Sequence, residues 1–86
     1  MGKVFEATYE SQTIRVENSW FKGEKLYVNN ELQDENLGLA LRATLNGKLK
    51  LYNDEIKSIK VSMGGSFKIN CKIFVDHELI PVSIIK

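Results

Sequence analysis

Apolar and polar residues alternate with a period of two along most of this chain, the pattern of strands with one face buried and one face wet. In residues 4–10, Phe5, Ala7 and Tyr9 share a face against Glu6, Thr8 and Glu10. A tight turn near Ser11 and Gln12 leads into a second alternating run, with Ile14 and Val16 opposed to Arg15 and Glu17. Residues 18–22 break the pattern and set Trp20 beside Phe21, just before Gly23. Residues 25–32, KLYVNNEL, read as a strand, a turn at Asn29-Asn30 and a return strand. Leu26 and Val28 point one way, Lys25 and Tyr27 the other, and Asn visits the left-handed region at low cost. The polar stretch QDEN (33–36) reads as a loop.

In the second half, Leu39, Leu41, Ala43 and Leu45 alternate with Ala40, Arg42 and Thr44. Good helix formers compete here, but Asn46-Gly47 is the strongest short hairpin signal and predicts a strand ending in a turn. Residues 48–52 then carry Leu49 and Leu51 inward, and Asn53-Asp54-Glu55 makes the next turn. Ile59, Val61 and Met63 share a face before a hairpin turn at Gly64-Gly65. Phe67, Ile69, Cys71, Ile73 and Val75 form the longest inward stripe, closed by a turn at Asp76-His77. Residues 79–85 end the domain, and Pro81, which cannot donate to a ladder, belongs at a strand start or an edge.

Two octets match position by position: KLYVNNEL (25–32) and KIFVDHEL (72–79). GKVFEATYESQTIRV (2–16) also matches GKLKLYNDEIKSIKV (47–61) in type at Gly, Lys, an aliphatic, Glu, Ile, a basic residue and Val. The expectation is an all-β fold of about eight short antiparallel strands, built as a two-sheet sandwich or flattened barrel from two repeats, residues 1–45 and 46–86, within a single domain. One unit has too little apolar surface to fold alone, whereas two can bury their apolar faces together.

The segments TIRVENSWFKGEKLYVNNEL and IKVSMGGSFKINCKIFVDHEL, spanning roughly residues 13–79, resemble the Fas apoptotic inhibitory molecule family of small β-sandwich proteins. The family has Gly inside the turn where this chain has Asn30 and His77. The resemblance implies a non-enzymatic interaction module; it names no partner and assigns no functional residue.

Composition narrows the classes. The 86 residues carry 12 Lys plus Arg against 11 Asp plus Glu, a balance that argues against a dedicated nucleic-acid binder. The halves differ: residues 1–45 hold five basic and seven acidic residues, net −2, and residues 46–86 hold seven and four, net +3. The single cysteine, Cys71, excludes an internal disulfide and a cysteine-rich zinc site, and fits a reducing compartment. No apolar run approaches the roughly 20 residues that span a bilayer. The first ten residues lack the apolar core of a signal peptide, and Glu6 spoils a myristoylation motif. A cytoplasmic protein with no membrane contact is the expectation.

Little catalytic chemistry is visible. Asp76, His77 and Glu78 are metal-capable, but adjacent residues on extended chain point apart, so a solvated turn is the better reading and no metal is expected. Glu31, Asp34, Glu35 and Asn36 lack EF-hand spacing. Cys71 lies on an inward stripe, where a thiol behaves as a small hydrophobe. With no P-loop, GxGxxG or HExxH motif, the sequence points to no cofactor and no enzyme. Lys48, Lys50, Lys57, Lys60, Lys68 and Lys72 mostly take outward positions; a charged face that keeps a β-protein soluble is the plain reading, and polyanion binding the sharper one. The best leads are Trp20, Phe21, Tyr27 and Phe74, aromatics of the type enriched at interfaces, although aromatics also cover the ends of small cores. They suggest a partner that is protein, including a second copy as a homodimer. The alternative is a ligand-binding domain for carbohydrate or polyanion.

Overall fold

A computed structural model describes residues 2–19, 23–36, 42–64 and 69–85, with Arg42 and Ala43 described by backbone only. Among the described residues there are nine strands: β1 (Gly2–Tyr9), β2 (Gln12–Ser19), β3 (Gly23–Val28), β4 (Glu31–Asn36), β5 (Arg42–Lys50), β6 (Ile56–Gly64), β7 (Asn70–Val75), β8 (Glu78–Ile80) and β9 (Ser83–Ile84). All pairings are antiparallel, and the two sheets run β4-β3-β2-β1-β9 and β5-β6-β7-β8. They stack as an open sandwich.

The core follows the alternation. Phe5, Ala7, Ile14, Val16, Leu26 and Val28 come from the first sheet. They meet Leu45, Leu49, Leu51, Ile59, Val61, Met63, Ile73, Val75 and Ile80 of the second. Each sheet alone would leave that face in water, so burying the two against each other is the main driving force for the fold.

The tight turns repeat one geometry. Asn29 and Asn30 sit at φ 50° and 69°, and Asp76 and His77 at 48° and 71°, the positive φ pair of a primed hairpin turn. Asn29 N–H donates to Thr13 O at 2.9 Å, and Thr13 N–H donates to Asn29 Oδ1 at 3.0 Å. In the other sheet Asp76 N–H donates to Ser58 O at 2.9 Å, and Ser58 N–H donates to Asp76 Oδ1 at 2.8 Å. Thr13 and Ser58 are the residues that the sequence match sets against each other.

Two expectations are corrected. Asn46-Gly47 makes no hairpin: both residues lie inside β5, paired with Lys60 and Ile59. A Cβ on Gly47 would stand 3.0 Å from Leu26 Cδ2 and 3.2 Å from Gln33 Cβ, so the glycine serves close packing of β5 on the first sheet. The chain turns only at residues 52–54, where the turn at Asn53-Asp54-Glu55 was expected: Asp54 has φ 68° and its N–H donates to Leu51 O at 2.9 Å. QDEN is no loop but most of β4. Its polar side chains serve the neighbouring edge: Asn46 N–H donates to Asp34 Oδ2 at 2.8 Å and Lys48 N–H to Gln33 Oε1 at 3.3 Å. At the end of the domain the chain leaves β8 through Pro81 and Val82 and crosses to β9 on the first sheet. One flank of the sandwich is therefore joined by side chains of β4 and the other by covalent chain. The predicted turn residue Gly65, the inward residue Phe67 and the alternating residues 39–41 lie outside the described residues.

Candidate functional site

Of the four aromatics singled out, Trp20 and Phe21 lie outside the described residues. Tyr27 and Phe74 are half-buried on the outer faces of the first and second sheet, so the structure places them on opposite sides of the sandwich. Their surroundings correspond. In the first sheet Arg15, Tyr27 and Leu32 lie side by side across β2, β3 and β4. In the second, Lys60, Phe74 and Leu79 do the same across β6, β7 and β8. Both leucines are exposed, at 46% and 57%. Neither leucine stood out in the sequence; the signal was present, because each ends an octet that carries a chosen aromatic.

The two rings differ electrostatically. The Arg15 guanidinium carbon stands 4.8 Å from the Tyr27 ring centroid, and its Nε is 3.2 Å from Glu17 Oε2. Among the described residues no cation is placed over Phe74, and Lys60 has no ion-pair partner.

Cys71 and Asp76 each make contacts within the fold. Cys71 packs beside the core and opposite Met63, and desolvation pushes its thiol up to about 12, far from a nucleophilic thiolate at neutral pH. Asp76 is exposed, yet the N–H of Ser58, then Lys57, holds its carboxyl below the usual carboxylate range. His77 and Glu78 stand exposed beside it. Among the described residues no three His, Cys, Asp or Glu side chains converge as metal ligands. A shallow open depression lined by Glu10, Ser11, Gln12, Lys50 and Tyr52 holds no nucleophile–base pair.

Glu24 is a buried carboxylate that the sequence reading passed over. Its Oε2 accepts from Asn18 Nδ2 at 2.8 Å and its Oε1 from Asn36 Nδ2 at 2.9 Å, which links β2, β3 and β4 at one end of the core. It shares the inward parity of Leu26 and Val28, the signal that could have found it.

Compared with family models, curated proteins and solved structures, the chain finds no match.

Proposed function

We propose that this chain is a small non-enzymatic interaction module that binds protein, a second copy of itself included, through its outer sheet faces. The observation that carries the reading is the exposed leucine beside a half-buried aromatic at the corresponding place on each sheet, Leu32 with Tyr27 and Leu79 with Phe74. Aromatic anchors next to accessible apolar side chains are what interface centres are made of. The edge strands β8 and β9 are poorer docking points. β9 is two residues long and β8 three, followed by Pro81, and short edge strands with proline resist pairing with another chain.

The matched octets and matched turns support a chain assembled from two copies of one four-strand unit, and the likeness of residues 13–79 to the Fas apoptotic inhibitory molecule family points to an interaction role as well. A lone free thiol suits a reducing, cytoplasmic setting. The test is sedimentation over a range of concentrations, with capture from the source lysate, for the natural chain and for Leu32→Asp and Leu79→Asp. Association weakened by either substitution is expected. A monomer at every concentration, whose captured proteins ignore both substitutions, would end the proposal.

A further inference from the structure

The near balance of charge over the whole chain conceals how the strands distribute it. On the outer face of the second sheet the outward residues fall in rows. Lys48 stands beside Ser58; the next row holds Asn46, Lys60, Phe74 and Leu79; the next holds Thr44, Ser62 and Lys72. Lys48, Lys60 and Lys72 occupy successive rows on successive strands, so they form a diagonal in which neighbours are about 7–8 Å apart.

All three are exposed, and among the described residues none has an ion-pair partner. The carboxylates at the end of this face are engaged elsewhere: Asp76 with Ser58 and Lys57, and Asp54 with Lys50. Phe74 lies between Lys60 in its own row and Lys72 two residues along its strand.

The first sheet provides the contrast. Its outward rows hold Arg15 and Lys25 against Glu6, Glu17 and Glu35, and Arg15 covers the Tyr27 ring. Strands of the same arrangement thus carry a neutralised face with a capped ring on one side, and on the other a cationic face whose acid, Asp76, stands at one end bonded to Ser58, with no cation over its ring among the described residues.

We infer that the outer face of the second sheet binds single-stranded nucleic acid. The phosphodiester chain runs along the lysine diagonal, and an unpaired base stacks on Phe74. A cationic surface supplies affinity for the backbone, and an aromatic set among the cations selects unpaired bases, whose faces are free. This goes beyond the protein-binding reading and gives one face a partner of a different class.

The experiment is fluorescence anisotropy of labelled oligothymidylate and oligouridylate titrated with the intact chain from about 50 to about 200 mM salt. Three lysine–phosphate contacts give a log–log salt slope of about −2, hence an affinity loss of about twenty-fold over that range. Lys60→Gln with Lys72→Gln should bring the slope to about −0.7. Phe74→Leu should weaken binding about five-fold or more at unchanged slope, while Phe74→Trp, which keeps a stacking face, should retain it. Arg15→Gln, on the opposite sheet, should change neither quantity.

Absence of binding to both oligomers at low salt overturns the inference. So does a Phe74→Leu chain, folded by circular dichroism, that binds as tightly as the natural one. Competition by heparin, duplex DNA or anionic vesicles at the strength of the single strand does so too, because then charge alone is being read. Protein association that is sensitive to Leu32→Asp without oligomer binding sinks this inference and spares the module; oligomer binding in a chain that never associates with protein does the reverse.

Discussion

Replacing Gly47 tests the packing of the two sheets directly. The residue lies in extended backbone within β5, and its missing side chain leaves room for Leu26 and Gln33. A Cβ there would meet Leu26 Cδ2 at 3.0 Å, Gln33 Cβ at 3.2 Å and Gln33 Oε1 at 3.4 Å. Two effects oppose each other in Gly47→Ala. Removing a glycine from a strand stabilises by about 0.5–1 kcal/mol, because the unfolded chain loses freedom. Overfilling a packed site costs about 1–3 kcal/mol, and here the Cβ of Gln33 is anchored to the backbone and cannot swing aside. The same shift disturbs the hydrogen bond from Lys48 N–H to Gln33 Oε1. The balance is a net loss of about 1–2 kcal/mol, which in urea moves the midpoint by about 1 M for a chain of this size. Unfolding followed by circular dichroism measures it. The contact also implies coupling: Leu26→Ala removes the nearest atom, so the double substitution should fall short of the sum of the singles by at least about 0.5 kcal/mol. A Gly47→Ala chain as stable as the natural one, with additive behaviour in the cycle, would refute the packing argument.

Other substitutions probe the remaining features. Asp76→Asn keeps an acceptor for Ser58 N–H, as Asn29 does in the other sheet, but abolishes its titration. The Asp76 carboxyl is held below the ordinary aspartate value of 3.8, so its contribution is fully present above that pH and is lost as pH falls through the folded value. Stability of the natural chain should therefore drop further than that of Asp76→Asn below about pH 4, and parallel acid limbs in the two would count against the assignment. Glu24→Ala leaves the amides of Asn18 and Asn36 without their buried acceptor and should cost about 1–3 kcal/mol, read from the urea midpoint; an unchanged midpoint would show that water replaces the carboxylate. Cys71, with its thiol pushed up to about 12, should react with a disulfide reagent at pH 8 far more slowly than a free thiol, and at full speed once urea unfolds the chain; equal rates in both conditions contradict its packing.

Period-two alternation was enough to find most of the strands and their inward residues, because burial of one strand face leaves a trace on every second position. Phe5, Ile14, Leu26, Ile59, Ile73 and Val75 are legible in this way, and so are the turns at Asn29-Asn30 and Asp76-His77, where a local backbone requirement selects the residue. Tyr27 and Phe74 could be placed outside the core from the sequence, but not on opposite faces, since a strand's own pattern says nothing of which sheet it joins. The same limit hid the lysine diagonal, which exists only once β5, β6 and β7 are set in register.

The errors have a common cause as well. Asn46-Gly47 carries the local signature of a turn, yet the packing of β5 against Leu26 and Gln33 uses the glycine for closeness rather than for φ. QDEN looks like a loop because it lacks apolar residues; as an edge strand it needs few, and Gln33 and Asp34 are spent on the N–H groups of β5, a partner far along the chain in sequence. The break at Pro81 and Val82, which sends β9 to the first sheet, is likewise set by where the other edge lies. What the amino-acid order determined by itself was every choice governed by neighbours one to four residues away. What tertiary structure decided was every choice governed by contacts between strands distant in the chain, because edge pairing, close approach and the gathering of charge on one face are properties of surfaces that form only when the sheets assemble.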